Sequence, residues 1–342
     1  MQQVSIVLPT YNRLARLQQV VTALEQQSYP HGYLQLIIVA DGATDGTNDY
    51  LAALQPSFAY IPVAQENGGA AAARNTALEY ATGDLVLFID DDVVPGPELV
   101  AEHVAAHQQA EQAGCAGVVV LGPMLTPPDF PMSPWVQWEQ AMLYKQYDAM
   151  AAGEWTPTAR QFYTGNASVA RSHLPTPQAF DTAFRRAEDV ELAYRLAAEG
   201  LDFVFHPKAV GHHYAERSFA AWLAIAYAYG RNDVIFTRER GQPWLLATVI
   251  QEYKGRHRLV KGLTQRCLSR PLMTGAAIKI LRLVAIASAR MGQPSVARQA
   301  YSGIYNLRYY QGVADQLGGR QDFLALVAPV PAVPAPVQHS RS

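Results

Sequence analysis

Cysteine is scarce: Cys115 and Cys267 are the only two in 342 residues, and they show neither metal-ligand nor redox spacing. That excludes a disulfide framework and a thiolate zinc site, and it predicts a reducing, cytoplasmic setting. Charge is scarce as well, at 16% against 49% hydrophobic residues, which excludes a disordered chain and predicts a well-filled core. No signal peptide precedes the first apolar run, residues 4–8. No Gly-x-Gly-x-x-Gly follows that run, which excludes the fingerprint of a nicotinamide-dependent enzyme. A Gly-rich basic phosphate loop, expected of a nucleotidyltransferase, is missing there too; Pro9-Thr10-Tyr11-Asn12 stands in its place. Apolar runs of membrane-spanning quality are also lacking. Residues 219–229 are too few, and residues 272–289 carry Lys279 and Arg282.

The last absence is of one sign of charge. Residues 254–310 contain eleven Lys and Arg and no Asp or Glu, so residues 1–253 sum to −13 although the chain nets −2. An acidic front argues against nucleic acid as a partner. A basic back predicts contact with an anionic membrane surface or an anionic substrate. Lys279, Arg282 and Arg290 fall on one face of a helix at 100° per residue, a pattern of helices that lie in an interface as well as of helices packed on a domain.

What is present is alternation. Apolar strands over residues 3–8, 36–39, 58–63 and 85–89 alternate with helical patterns over 14–27, 48–54 and 70–80. Such β-α-β order within ninety residues specifies a mostly parallel sheet with right-handed crossovers. Helices over 97–113, 135–150 and 188–198, a strand over 116–121, an extended 163–171 and a strand pair over 203–213 broken at Pro207 continue the chain. From residue 218 the pattern is helical, and the Pro/Ala/Val-rich residues 328–342 are expected to be disordered.

The stretch around which the rest is organised is Leu85-Val-Leu-Phe-Ile-Asp90-Asp91-Asp92. A strand buried on both faces runs straight into three carboxylates whose mutual repulsion a hard divalent cation, Mg2+ or Mn2+, would relieve while sharing its shell with substrate phosphates. Other strand ends carry polar residues that a parallel sheet brings to the same edge: Pro9, Thr10, Tyr11 and Asn12 after the first strand and Asp41 after the second, with Arg74 on the following helix. Asp41 can accept from a base NH or a ribose hydroxyl, or simply serve a turn with Gly42.

These segments carry a resemblance. Ser5-Ile-Val-Leu-Pro-Thr-Tyr-Asn-Arg13, Val39-Ala-Asp-Gly-Ala-Thr-Asp-Gly-Thr47, Asn67-Gly-Gly-Ala-Ala-Ala-Ala-Arg-Asn75 and Asp90-Asp91-Asp92 resemble, in order and spacing, the successive motifs of glycosyltransferase family 2. The resemblance covers residues 3–215. It implies an α/β fold of the GT-A class, a mostly parallel sheet flanked by helices, here with a helical C-terminal extension. The implied organisation is a catalytic domain over 1–215, with a nucleotide-sugar half (1–115) and an acceptor half (116–215), followed by a basic helical region over 216–327. The implied enzyme is an inverting, metal-dependent hexosyltransferase that moves one sugar from a nucleotide-diphosphate donor to a hydroxyl of a glycan, lipid-linked or secondary-metabolite acceptor. A UDP-sugar is expected first, with GDP- and dTDP-sugars as alternatives.

Residue by residue, the resemblance implies that the Pro9–Tyr11 loop and Asp41 hold the nucleobase, that Arg74 lies near the donor, that Asp91 binds ribose and that Asp92 ligates the metal. Family members often place two acids before the glycine of the second motif; here Ala40 occupies the first position, which loosens the expectation for the base. Gly165 and Asn166 resemble the segment lining the sugar and acceptor pocket, which Glu188 and Trp138 are expected to border. Asp189 resembles the catalytic base; acids at a helix start are also favoured electrostatically without any catalysis. His212 is the preferred further metal ligand, with His213 as the alternative, since only one of two neighbours on a strand can face the site. The Gln-x-x-Arg-Trp motif of processive synthases is missing after residue 213, so single transfer is expected. The expected location is the cytoplasm, with a peripheral position at the inner face of the plasma membrane as the possibility that the basic residues 254–310 raise. The competing reading is a sugar-nucleotide-binding or nucleotidyltransferase-type protein on the same sheet, without glycosyl transfer.

Overall fold

The computed structural model describes residues 1–175 and 177–328, so the tail expected to be disordered lies, beyond residue 328, outside the described residues. Two compact units are present, Met1–Phe219 and Ala220–Ser342.

The first unit begins β1 (Val4–Thr10), α1 (Leu14–Leu24), β2 (Leu34–Asp41), α2 (Thr47–Ala53), β3 (Ala59–Gln65), α3 (Ala70–Tyr80), β4 (Leu85–Ile89). It continues with β5 (Val93–Pro95), α4 (Leu99–Gln112), β6 (Val118–Leu121), β7 (Met124–Leu125), α5 (Pro134–Ala151), β8 (Asn166–Ala170), α6 (Glu188–Ala198), β9 (Asp202–Phe205) and β10 (Gly211–His213). Seven strands form one sheet in the order β3-β2-β1-β4-β8-β6-β9, parallel except for β8, which runs against both β4 and β6. A second small sheet, β5-β10-β7, uses strands as short as the Val93–Pro95 segment, which no sequence periodicity marks.

β1, β2 and β4 are almost wholly buried, as their unbroken apolar runs require of central strands covered on both faces. The broken strand pair expected over 203–213 forms, but its halves part at Pro207: β9 joins the large sheet and β10 the small one. Most of the core lies between β1, β2 and β4 and the apolar stripe of α1, where Leu17, Val20, Val21 and Leu24 are buried. α3 is built from alanines whose small side chains let it lie close to the sheet, and it buries Arg74 and Asn75. Asn75 exchanges two 2.8 Å hydrogen bonds with the backbone of Phe180, which fixes an otherwise irregular segment under α3.

The second unit is helical: α7 (Phe219–Glu239), α8 (Pro243–Gly255), α9 (Arg258–Cys267), α10 (Pro271–Arg290), α11 (Pro294–Leu317) and α12 (Arg320–Val327). Two glycines set its closest helix crossing. A Cβ at Gly230 of α7 would stand 2.0 Å from the Tyr309 carbonyl oxygen, and one at Gly312 of α11 would stand 2.0 Å from that of Tyr227. Tyr253 packs edge-on against both Tyr310 and Phe323, which lie tilted to each other, in the core of this unit.

Candidate active site

Strand register brings the polar strand ends together. β1 pairs with β4 as Val7↔Phe88, so three residues on, Thr10 comes level with Asp91. Thr10 Oγ1 donates to Asp91 Oδ2 at 2.9 Å, the Tyr11 amide approaches the same oxygen at 3.3 Å, and Arg13 Nη1 reaches Asp91 Oδ1 at 3.0 Å and Asp92 Oδ2 at 2.5 Å. Burial pushes the Asp91 carboxyl up to about 6, only partly offset by Arg13. Burial also works against ionisation of Asp92, but His213 and Arg13 outweigh it and hold that carboxyl well below the usual range. Asn12 sits in the left-handed region at φ 52°, which Asn tolerates better than most residues, and its Oδ1 accepts from the Thr44 amide at 2.7 Å. That bond ties the loop after β1 to the loop after β2.

Asp41 ends β2 and is buried. Its Oδ1 accepts from Gln65 Nε2 and the Gly68 amide, and its Oδ2 from the Gly69 amide, each at 2.8 Å. One lone pair of Oδ2 remains for a ligand; the rest of the carboxylate shapes the entry to α3.

Arg74 joins the two ends of the site. Its Nη2 meets Asp90 Oδ1 at 2.7 Å and its Nη1 meets Glu188 Oε1 at 2.9 Å, with Phe180 under the guanidinium. Its burial disfavours the charge, but Asp90 and Glu188 outweigh that and keep Arg74 firmly protonated. Asp189 follows Glu188 at the start of α6. Burial, with the Glu188 charge beside it, pushes the Asp189 carboxyl up to about 7, in the range that suits a general base near neutrality. Ala187, just before them, takes φ 61° without being glycine. Such backbone costs on the order of 1 kcal/mol and persists where surroundings dictate it.

Among the described residues, five carboxylates (Asp90, Asp91, Asp92, Glu188 and Asp189) thus lie around two guanidiniums, Arg13 and Arg74. His213 Nε2 stands 3.6 Å from Asp92 Oδ1, while its buried Nδ1 has no hydrogen-bond partner. Among the described residues no three His, Cys, Asp or Glu side chains make a ready coordination shell. Asp92 and His213 nevertheless offer the oxygen-plus-nitrogen start of one, in a cluster where carboxylates outnumber the paired guanidiniums and Arg13 is the cation beside Asp92. Such a two-residue set fits Mg2+ or Mn2+, ions that complete their shells with water and phosphate.

Residues 5–173 match the family model described as Glycosyl transferase family 2. They form a family 2 glycosyltransferase domain. The uncharacterized glycosyltransferase YfnE of Bacillus subtilis is 35% identical over 115 residues, 33% of this chain and 29% of its own length. Glycosyltransferase AglE of Haloferax volcanii is 26% identical over 247 residues, 71% of this chain and 74% of AglE. Among solved structures, a mannosyltransferase from Pyrobaculum calidifontis, in complex with GDP-Man and Mn2+, superposes with a TM-score of 0.56 at 21% identity, covering 88% of this chain and 86% of that one. That likeness places the fold in the GT-A class.

Not every residue expected at the site lies beside the carboxylate cluster. Asn166, expected to line a pocket, is buried: its Nδ2 donates to the Pro123 and Ala209 carbonyls at 3.0 and 2.7 Å, and its Oδ1 meets His103 Nε2 at 2.9 Å, so its side chain is engaged in the core. Trp138 is buried in α5, as packing rather than as an open platform. Gly165 is at the site, where a Cβ would lie 2.7 Å from Met124 Sδ and 3.2 Å from Asp90 Oδ2. Tyr11 and Asn12 are exposed, and Pro9 is half-buried beside them. His213, not His212, neighbours Asp92, because the pairing of β10 with β5 sets His213 opposite Val93 and neighbouring side chains alternate in direction. Two participants had no assigned role in the sequence. Arg13 was visible as the last residue of the first motif. Glu139, half-buried near His213 and paired with Arg217 at 3.2 Å, carries no local signal in sequence.

Proposed function

We propose that this chain transfers a single sugar, with inversion, from a nucleotide-diphosphate-sugar donor to an acceptor hydroxyl. The observation that carries the reading is the Arg74 clamp, which holds the Asp90–Asp92 strand end and the Glu188–Asp189 helix start to one guanidinium. Donor carboxylates and a carboxylate base are thereby joined in one site. Exposed Tyr11 and the free lone pair of Asp41 suit a nucleobase, and Asp91 suits a ribose hydroxyl. Asp92 and His213 would hold Mg2+ or Mn2+, which when bound neutralises charge developing on the leaving diphosphate.

Asp189 takes the proton of the acceptor hydroxyl as that oxygen attacks the anomeric carbon. Glu188, locked to Arg74, keeps Asp189 in place and raises its proton affinity. The acceptor is a hydroxyl of a glycan, a lipid-linked saccharide or a secondary metabolite. A UDP-sugar is the first expectation; the Pyrobaculum neighbour's GDP-Man makes a GDP-sugar the next, and dTDP-sugars follow. Thermal-shift measurements with UDP-, GDP- and dTDP-sugars, each with Mn2+, Mg2+ or chelator, test the reading. One donor class should raise the melting temperature only with metal, by mass action. No shift with any donor, or shifts unaffected by chelator, would overturn it.

A further inference from the structure

The second unit carries a feature that sugar transfer does not use. By length and composition α10 is the one described helix that could cross a membrane, contrary to the sequence expectation drawn from Lys279 and Arg282 within it, and its two faces differ in chemistry. One face packs on α11 and α9 inside the unit: Thr274, Ala285 and Ser288 are buried, Thr274 Oγ1 donates to the Cys267 carbonyl at 3.0 Å, and Leu281 covers Gly303 of α11. The opposite face holds Leu272, Ile280 and Leu283, exposed at 89%, 61% and 66%. At 100° per residue these fall within one quadrant, with Lys279 and Arg290 on the same side. Arg270 stands at the N-terminal end of the helix, and the surrounding residues 254–310 contain no carboxylate side chain.

Single exposed apolar residues need no explanation, but three on one helical face with cations beside them form a surface of definite chemistry. To span a bilayer, α10 would have to leave α11 and carry Lys279 and Arg282 into hydrocarbon. Lying at the headgroup level, it keeps its packing, inserts the Leu272–Ile280–Leu283 face and lets the cations reach lipid phosphates. We propose that this face of α10 docks the protein on an anionic lipid surface. Charge complementarity selects that occupant: a second copy of this chain would bring the same cations against themselves, with no acid among residues 254–310 to pair them.

The test is flotation of the full-length protein with vesicles of phosphatidylcholine alone or with about 30% phosphatidylglycerol, at low and high salt, without sugar donor. Because no donor is used, the outcome is independent of the proposed transfer. The protein should float with the anionic vesicles at low salt and be released at high salt. Leu272→Ser/Ile280→Ser/Leu283→Ser should lower partitioning at least tenfold, and Lys279→Ala or Arg290→Ala about fivefold each. Leu283→Glu alone, at an exposed position, should also abolish flotation and keeps the test decisive if the triple variant misfolds. Failure of the wild type to float, or flotation of Leu283→Glu like wild type, overturns the proposal. So does light scattering that shows a lipid-free dimer broken by Leu283→Glu, which would make the face a contact between copies.

Discussion

Two polar clusters sit in the same unit and are finished in opposite ways. At Asp90–Asp92, among the described residues, five carboxylates lie around two guanidiniums, and His213 keeps an unpartnered buried nitrogen. Around Asn166, the polar groups close on one another in a chain. His107 Nε2 meets Ser168 Oγ at 2.9 Å, Ser168 Oγ meets His103 Nδ1 at 2.8 Å, and His103 Nε2 meets Asn166 Oδ1 at 2.9 Å. One assignment of protons satisfies the whole chain: His107 donates to Ser168, Ser168 to His103, and His103 to Asn166. Asn166 spends both amide protons on the Pro123 and Ala209 carbonyls. A closed neutral network has nothing left to offer a ligand. The open, carboxylate-rich one does, and the contrast separates chemistry from architecture more reliably than residue type.

The comparison breaks most visibly through activity. Asp189→Asn should lower turnover by about 10^2 to 10^4, the usual worth of a positioned base, while leaving the donor-induced thermal shift intact. Asp92→Ala should abolish the metal-dependent donor shift as well as transfer. Wild-type turnover by Asp189→Asn would remove Asp189 from the base role. Because burial pushes the Asp189 carboxyl up to about 7, kcat/KM should rise with pH through about 7 and then level off, as the base must be ionised to act.

In the closed cluster the effect should appear as stability alone. Asn166→Ala strands two buried carbonyls and one histidine nitrogen, at about 2–3 kcal/mol, and should lower the melting temperature by roughly 5–10 °C. Turnover per folded molecule should change less than twofold. Acid attacks the same place. Burial holds His103 down to about 3 and His107 to about 4, so the unfolded chain takes up their protons first as pH falls below about 6.5. Their contribution, complete above that pH, should decline toward pH 4 by up to about 1.4 kcal/mol per unit for each histidine. Urea unfolding as a function of pH, with His107→Gln flattening the slope, checks this.

Sheet, strand ends and their convergence were legible in sequence because each rests on local signals: unbroken apolar runs for β1, β2 and β4, and polar residues directly after them. Register then did the rest, carrying Thr10 to Asp91. What was not legible depends on contacts between distant segments. Asn166 reads as a pocket residue from its motif. Only its placement against the Pro123 and Ala209 carbonyls shows it to be a core tie. The choice between His212 and His213 turned on the pairing of β10 with β5, three residues of strand that no periodicity announces. Ala187 carries no signal at all, since alanine rarely adopts its φ and nothing nearby in sequence demands it.

Arg13 is where the open cluster imitates the closed one, and it yields the smallest expected effect. Its guanidinium touches both Asp91 and Asp92, with His213 Nε2 farther off, 3.6 Å from Asp92 Oδ1. A residue that only decorated the surface would contribute almost nothing, since its side chain is 43% exposed and solvent screens the pair. A residue acting as provisional counter-ion has two consequences. Arg13→Ala should lower metal-free stability by about 1 kcal/mol, because it leaves two adjacent carboxylates facing each other. The same variant should then gain more from Mn2+ than wild type does, since the metal no longer competes with a resident cation. The measurement is the melting temperature with and without Mn2+, in the absence of donor. A larger Mn2+ shift in Arg13→Ala sharpens the distinction between a cluster kept open for a ligand and one closed for good. An equal or smaller shift would mean that Arg13 belongs to the architecture, as Asn166 does.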